Sequence, residues 1–153
     1  VSRAPAATDH AALLSGTAMS VFRLNGQILG VAEELARAGG LTAARWQVLG
    51  AVLDEPLPVS AIARRFGTSR QSVQRIADVL VEQGLCEYRP NPAHSRAKLL
   101  RPTDAGLAAV RRIGPDHARF ADALVAEMGV EEAQEALTAL RSLSEALDRV
   151  TGD

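Results

Sequence analysis

The sequence predicts a mainly α-helical fold that carries one small β-hairpin, and three observations predict it. The 153-residue chain is 47% apolar but only 3% aromatic. Its core is therefore built mostly from Ala, Leu and Val, a mixture that favours helix. Apolar residues recur at alternating spacings of three and four near both ends of the chain, which is the period of one helix face. Between those ends, "LCEYRP" and "RAKLLRPT" read as two strands joined by "NPAHS", in which Asn-Pro and Ser are loop signals.

The length predicts one domain over residues 10–153, preceded by a small, polar, unpatterned tail at 1–9 that is expected to be disordered. No apolar run approaches the ~20 residues of a membrane helix, and "VSRAPAATDH" lacks the apolar core of a signal peptide. A single cysteine excludes an internal disulfide and a cysteine-built zinc site within one chain, and it suits a reducing compartment. A soluble cytoplasmic protein is the expectation. Nearly all basic residues are Arg and alanines are abundant, which suggests a GC-rich bacterial genome.

Taken in order, residues 10–38 form the first helix. Leu14, Ala18, Val21, Asn25, Ile28, Ala32 and Leu35 make a coiled-coil-like seam along it. Asn25 is either a tolerated polar residue at the stripe edge, a partner across a dimer axis, or the wall of a ligand cavity. Gly39-Gly40 ends the helix. Thr42 caps a second helix over 43–55 that buries Trp46, Leu49, Val52 and Leu53, and "PLP" stops it. A short third helix, 59–66, buries Val59, Ile62, Ala63 and Phe66. After the turn Gly67-Thr68-Ser69, either Thr68 or Ser69 caps the fourth helix, and Thr68 with Gln71 would form a capping box.

That fourth helix turns Val73, Ile76, Ala77 and Leu80 inward. Gln71, Arg75, Asp78 and Glu82 lie opposite, flanked by Arg70 and Gln74. Gly84 ends it, and the hairpin follows. Thr103 or Asp104 caps a fifth helix, 104–128, with Leu107, Val110, Ile113, His117, Phe120 and Leu124 at helical spacing. Gly114-Pro115 predicts a kink or break within it. The sixth helix, 131–150, repeats the seam with Ala133, Ala136, Leu140, Leu143, Leu147 and Val150. Two such seams hold more apolar stripe than a small globule buries alone. They are expected to pack together and against a second copy of the chain.

The net charge of −1 hides a segregation. Between Pro56 and Arg101, Arg64, Arg65, Arg70, Arg75, Arg89, Arg96, Lys98 and Arg101 outnumber Asp78, Glu82 and Glu87 by five, leaving −6 for the remainder. A basic patch on an acidic protein is the electrostatic footprint of a nucleic-acid binder. The fourth helix has basic and amide side chains in its first turns, where the helix dipole favours phosphate. A helix of that polarity suits end-on entry into a DNA major groove, although an ordinary solvated face has the same look. The basic hairpin suits the narrow minor groove, which an Arg side chain can reach.

Other chemistry finds little footing. There is no phosphate loop, nucleophile elbow or acid–base spacing. The histidines at 10, 94 and 117 stand too far apart in sequence to suggest a metal site. No enzyme activity, cofactor or metal is expected.

The order of these pieces resembles the MarR (multiple-antibiotic-resistance regulator) family of winged helix-turn-helix repressors. The resemblance covers residues 41–112. It rests on Leu41-Thr42, "GTSRQSV", "EQGLCEYRPNP" into the hairpin, and "LLRPTDAG" out of it. It implies a mainly α fold with a β-hairpin wing: a winged helix-turn-helix lobe at 41–103, flanked by dimerisation helices at 10–40 and 104–150. It also implies a homodimer that binds a pseudo-palindromic operator in double-stranded DNA, acting as a repressor that a small-molecule effector could release. Carried onto this chain, Arg70, Gln71, Gln74 and Arg75 become base-edge or phosphate contacts, Arg guanidinium suiting guanine and Gln suiting adenine. Ser69 and Ser72 would hold phosphates. Arg96 would enter the minor groove, with Lys98 beside it on the wing.

Three positions depart from the family pattern. His94 stands where an Asp usually precedes the wing Arg by two residues. Pro102-Thr103 replaces Leu-Thr, and Pro58 replaces a polar helix cap. Cys86 is expected to be a core residue, since it follows Leu85 on a predicted wing strand where a small apolar residue serves, and peroxide-sensing relatives carry their cysteine near the N-terminus instead. Phe22, Asn25, Trp46, His117 and Phe120 are conceivable linings of an effector pocket, but core packing is the favoured reading for them. The competing function is a winged-helix protein-interaction module that does not bind DNA; an effector-free architectural role on DNA is a third.

Overall fold

The computed structural model describes residues 8–152, so most of the tail expected at 1–9 lies outside the described residues. The elements run α1 (His10–Ala36), a 3-10 turn (Arg37–Gly39), α2 (Ala43–Ala51), β1 (Leu57–Pro58) and α3 (Val59–Phe66). They continue with α4 (Arg70–Glu82), β2 (Cys86–Arg89), β3 (Leu99–Pro102), α5 (Asp104–Met128) and α6 (Val130–Thr151). The chain divides into two compact units, one ending at Ile113 and the other beginning at Gly114.

In the first unit the core gathers α2, α3, α4, the sheet and the start of α5. Leu49, Ile62, Leu80, Leu100, Ile113, Val52 and Val73 are its largest fully buried side chains. Local signals start the helices. The Thr42 side chain accepts from Arg45 N–H to open α2, and Ser69 accepts from Ser72 N–H to open α4. Ser69 rather than Thr68 is thus the cap. Between α3 and α4, Gly67 turns the chain at φ 61°, a conformation in which other residues' Cβ is crowded.

Three expectations need correction. First, α2 ends at Ala51 instead of near 55, so Leu53 falls past its end and is exposed, while Val48 takes an inward position. Second, Phe66, the last residue of α3, is exposed; eight residues make only two turns, and its position lies beyond the neighbouring helices' cover. Third, "PLP" does more than stop α2. Leu57 and Pro58 pair antiparallel with Leu100 and Leu99, making a three-stranded sheet of order β1-β3-β2. Proline is tolerated there because β1 is an edge strand.

The return from the hairpin is tightly fixed. Thr103 donates its hydroxyl to the Gly84 carbonyl at 2.6 Å and accepts from Gly106 N–H at 3.2 Å, while its own N–H reaches the Leu85 carbonyl at 3.0 Å. Gly106 is buried against the same loop, where any Cβ would collide with the Leu85 carbonyl oxygen. Close approach, not a turn, demands glycine at that position.

α5 runs without a break through Pro115. Proline removes one hydrogen bond, and a helix of 25 residues keeps its bonds on either side. In the second unit α6 has no fully buried residue: Ala133, Ala136 and Leu143 are half-buried, whereas Leu140, Leu147 and Val150 are exposed. α1 similarly leaves Leu14, Phe22 and Ile28 exposed. Phe22, Asn25, His117 and Phe120, read from the sequence as core, are all exposed in the single chain, because its own elements do not cover their faces. Trp46 is half-buried against the core. No helix among the described residues is long and apolar enough to cross a membrane.

Candidate nucleic-acid interface

α4 and the wing enclose an open groove of about 580 Å³ in the first unit. Arg70, Gln71 and Gln74 line it from the first turns of α4, and His94, Arg96, Ala97 and Lys98 line it from the wing. Pro58, Val59, Ser60 and Tyr88 complete its wall. Five of the eight side chains picked from the sequence therefore meet around one concavity. Ser69, Ser72 and Arg75 do not line it. Ser69 and Ser72 join hydroxyls at 2.8 Å at the helix start, and Arg75 projects from an exposed position further along α4.

The cations are not equivalent. In the β2–β3 ladder Glu87 sits opposite Arg101, and its carboxylate pairs with both Arg101 at 3.3 Å and Arg89 at 3.0 Å. Those two arginines belong to the sheet. Among the described residues, Arg70, Arg75, Arg96 and Lys98 make no ion pair, so their charge is presented to solvent. The wing tip that carries Arg96 is a run of short turns. Asn91 accepts from Ala93 N–H through its side chain and from His94 N–H through its carbonyl, and the His94 carbonyl accepts from Ala97 N–H at 3.3 Å. The tip closes with His94 in the Asp position, since its backbone supplies the bond.

A three-membered network ties wing to helix. Gln74 Nε2 donates to Asp78 Oδ1 and to the Tyr88 hydroxyl, both at 2.9 Å, and that hydroxyl donates to Asp78 Oδ1 at 2.6 Å. Burial and then the hydrogen bond to Asp78 push the Tyr88 phenol well above its usual range, so it stays protonated and remains a donor. Tyr88 and Asp78 are thus functional positions beyond those the sequence predicts, where Asp78 falls on the outward face of α4. The four-residue spacing of Gln74 and Asp78 was a usable helical signal. Nothing local announces Tyr88, which the turn after α4 brings back to the helix.

Cys86, two residues before Tyr88 on the same strand, is buried, and burial pushes its thiol up to about 12. A thiol is unreactive in that state. Among the described residues no group of three His, Cys, Asp or Glu side chains could hold a metal ion.

The family model described as the MarR family matches residues 39–97, which contain α2, α3, α4 and most of the wing. The solved structure of a MarR family transcriptional regulator from Streptomyces coelicolor is 30% identical, with a TM-score of 0.71 over 88% of this chain and 96% of that one. The chain belongs to the MarR family. Members of this family are DNA-binding transcriptional regulators with a winged helix-turn-helix, and they are not enzymes. A mutant MarR from E. coli complexed with operator DNA shares the fold, with a TM-score of 0.75 over 89% of this chain and 99% of that one at 18% identity. An uncharacterized protein of Mycobacterium tuberculosis is 44% identical over 93 residues, 61% of this chain. The match spans 65% of the length of that relative.

Proposed function

We propose that this MarR family protein is a cytoplasmic homodimer that binds a pseudo-palindromic site in double-stranded DNA and represses a nearby promoter. The observation that carries this reading is the groove that sets Arg70, Gln71 and Gln74 of the fourth helix against Arg96 and Lys98 of the wing. In this reading Arg70, Gln71, Gln74 and Arg75 face base edges and phosphates in the major groove, Ser69 and Ser72 hold phosphates at the helix start, and Arg96 with Lys98 follows the minor groove. Exposed apolar side chains on α1 and α6 support a dimer, since soluble monomers rarely leave contiguous apolar surface uncovered. Two lobes related by a twofold axis would meet half-sites about one helical turn, ~10 bp, apart. Some family members respond to small molecules, and release by such an effector completes the proposal. A protein-interaction wing has no use for unpaired cations on both helix and hairpin, which disfavours the non-DNA alternative.

Affinity for duplex DNA measured across salt concentrations tests the proposal. Log affinity should fall against log salt with a slope of roughly −0.9 per phosphate neutralised. A flat dependence overturns it.

A further inference from the structure

The network around Gln74 constrains what that side chain can read. A carboxamide nitrogen has two hydrogens. Both are used here, one on Asp78 Oδ1 and one on the Tyr88 oxygen. The Tyr88 hydrogen is used as well, on Asp78 Oδ1. Turning the amide over would set Gln74 Oε1 against the carboxylate, two acceptors face to face, so the network fixes its orientation. All side-chain donor hydrogens of the three residues are consumed among themselves, and what remains is acceptors only. Gln74 nevertheless lines the groove beside Arg70 and Gln71.

Resting on the DNA-binding reading above, we propose that Gln74 is an acceptor-only base reader. Its Oε1 takes a hydrogen bond from an exocyclic amino group in the major groove, N6 of adenine or N4 of cytosine. Guanine offers O6 and N7 there and thymine offers O4, all acceptors, so the position that Gln74 faces rejects both. An unconstrained glutamine behaves differently: it pairs with adenine through N6 and N7 together and separates adenine from cytosine. Asp78 and Tyr88 are the positioning residues that remove this second bond. Neither needs to touch DNA to alter the preference.

Selection from a randomised duplex library, with sequencing, tests the inference on the full chain, Gln74→Ala and Tyr88→Phe. The unmodified protein should enrich adenine and cytosine about equally at one position per half-site, and Gln74→Ala should erase that preference and no other. Tyr88→Phe releases one amide hydrogen, so adenine should then exceed cytosine at that position by at least about fivefold, as a second bond to the base implies. Guanine or thymine at the Gln74-dependent position, adenine alone in the unmodified protein, an unchanged Tyr88→Phe pattern, or no position altered by Gln74→Ala would each overturn it. Gln74 is exposed, so the comparison with Gln74→Ala decides the matter even if Tyr88→Phe unfolds. Absence of salt-sensitive binding to any library DNA would instead mark failure of the DNA-binding reading itself.

Discussion

The winged lobe and the helices that flank it put the same residue types to opposite uses. In the lobe Leu49, Ile62, Leu80 and Leu100 are fully buried. On α1 and α6, Phe22 is 69% exposed and Val150 85% exposed. Burial stabilises by about 25 cal/mol per Å² of apolar surface removed from water. The lobe therefore collects this stabilisation within one chain, whereas the flanking seams collect it only against another surface. Stability of the lobe should be intrinsic, and that of the terminal helices should depend on protein concentration.

The largest expected effect tests the lobe side. Leu49→Ala should cost about 2–5 kcal/mol in denaturant unfolding, through lost burial and the cavity left behind. Gly106→Ala comes next, at about 1–3 kcal/mol, since its Cβ must displace the Leu85 backbone; a neutral result would mean that α5 docks more loosely than the geometry indicates. Cys86 adds a pH signature. Its folded pKa is raised from 9.0 to about 12, so the folded state holds this proton more tightly than the unfolded state. Stability from this group is complete below about pH 9 and is lost as pH climbs towards about 12. Alkaline unfolding curves of Cys86→Ala should be flatter over that window, and equal slopes would contradict the burial argument. The smallest effect on the lobe belongs to Leu147→Asp. In dilute solution it should shift lobe stability by no more than about 0.5 kcal/mol, yet sedimentation should show weakened self-association. A lobe destabilised as much as by Leu49→Ala would erase the distinction between the two regions.

Much of this organisation was legible because it is local. Thr42 and Ser69 are caps whose chemistry acts over three residues, and the limits of α3 and α5 follow from a turn glycine, a threonine cap and helical period. The misread positions depend on distant partners. Leu53 and Phe66 are apolar, and no sequence pattern shows that neighbouring elements leave them partly exposed. Pro58 reads as a stop, and only its pairing with Leu99 makes it a strand. Arg101 counted equally with Arg96 in the basic surplus until the ladder register set it opposite Glu87, whose carboxylate also holds Arg89 two residues along the same strand.

The sequence by itself determined the helical class, the basic helix-and-hairpin segment and the order of elements that places this chain in the MarR family. Periodicity, capping and charge segregation are properties of near neighbours, and they survive whatever the chain does elsewhere. Tertiary structure alone paired Arg101 with Glu87 across the ladder, and it brought the Tyr88 hydroxyl to Gln74 and Asp78. Those outcomes depend on pairing across strands and on a strand returning to a helix. The Tyr88 hydrogen bonds at 2.9 and 2.6 Å require atoms that only the completed fold brings within reach.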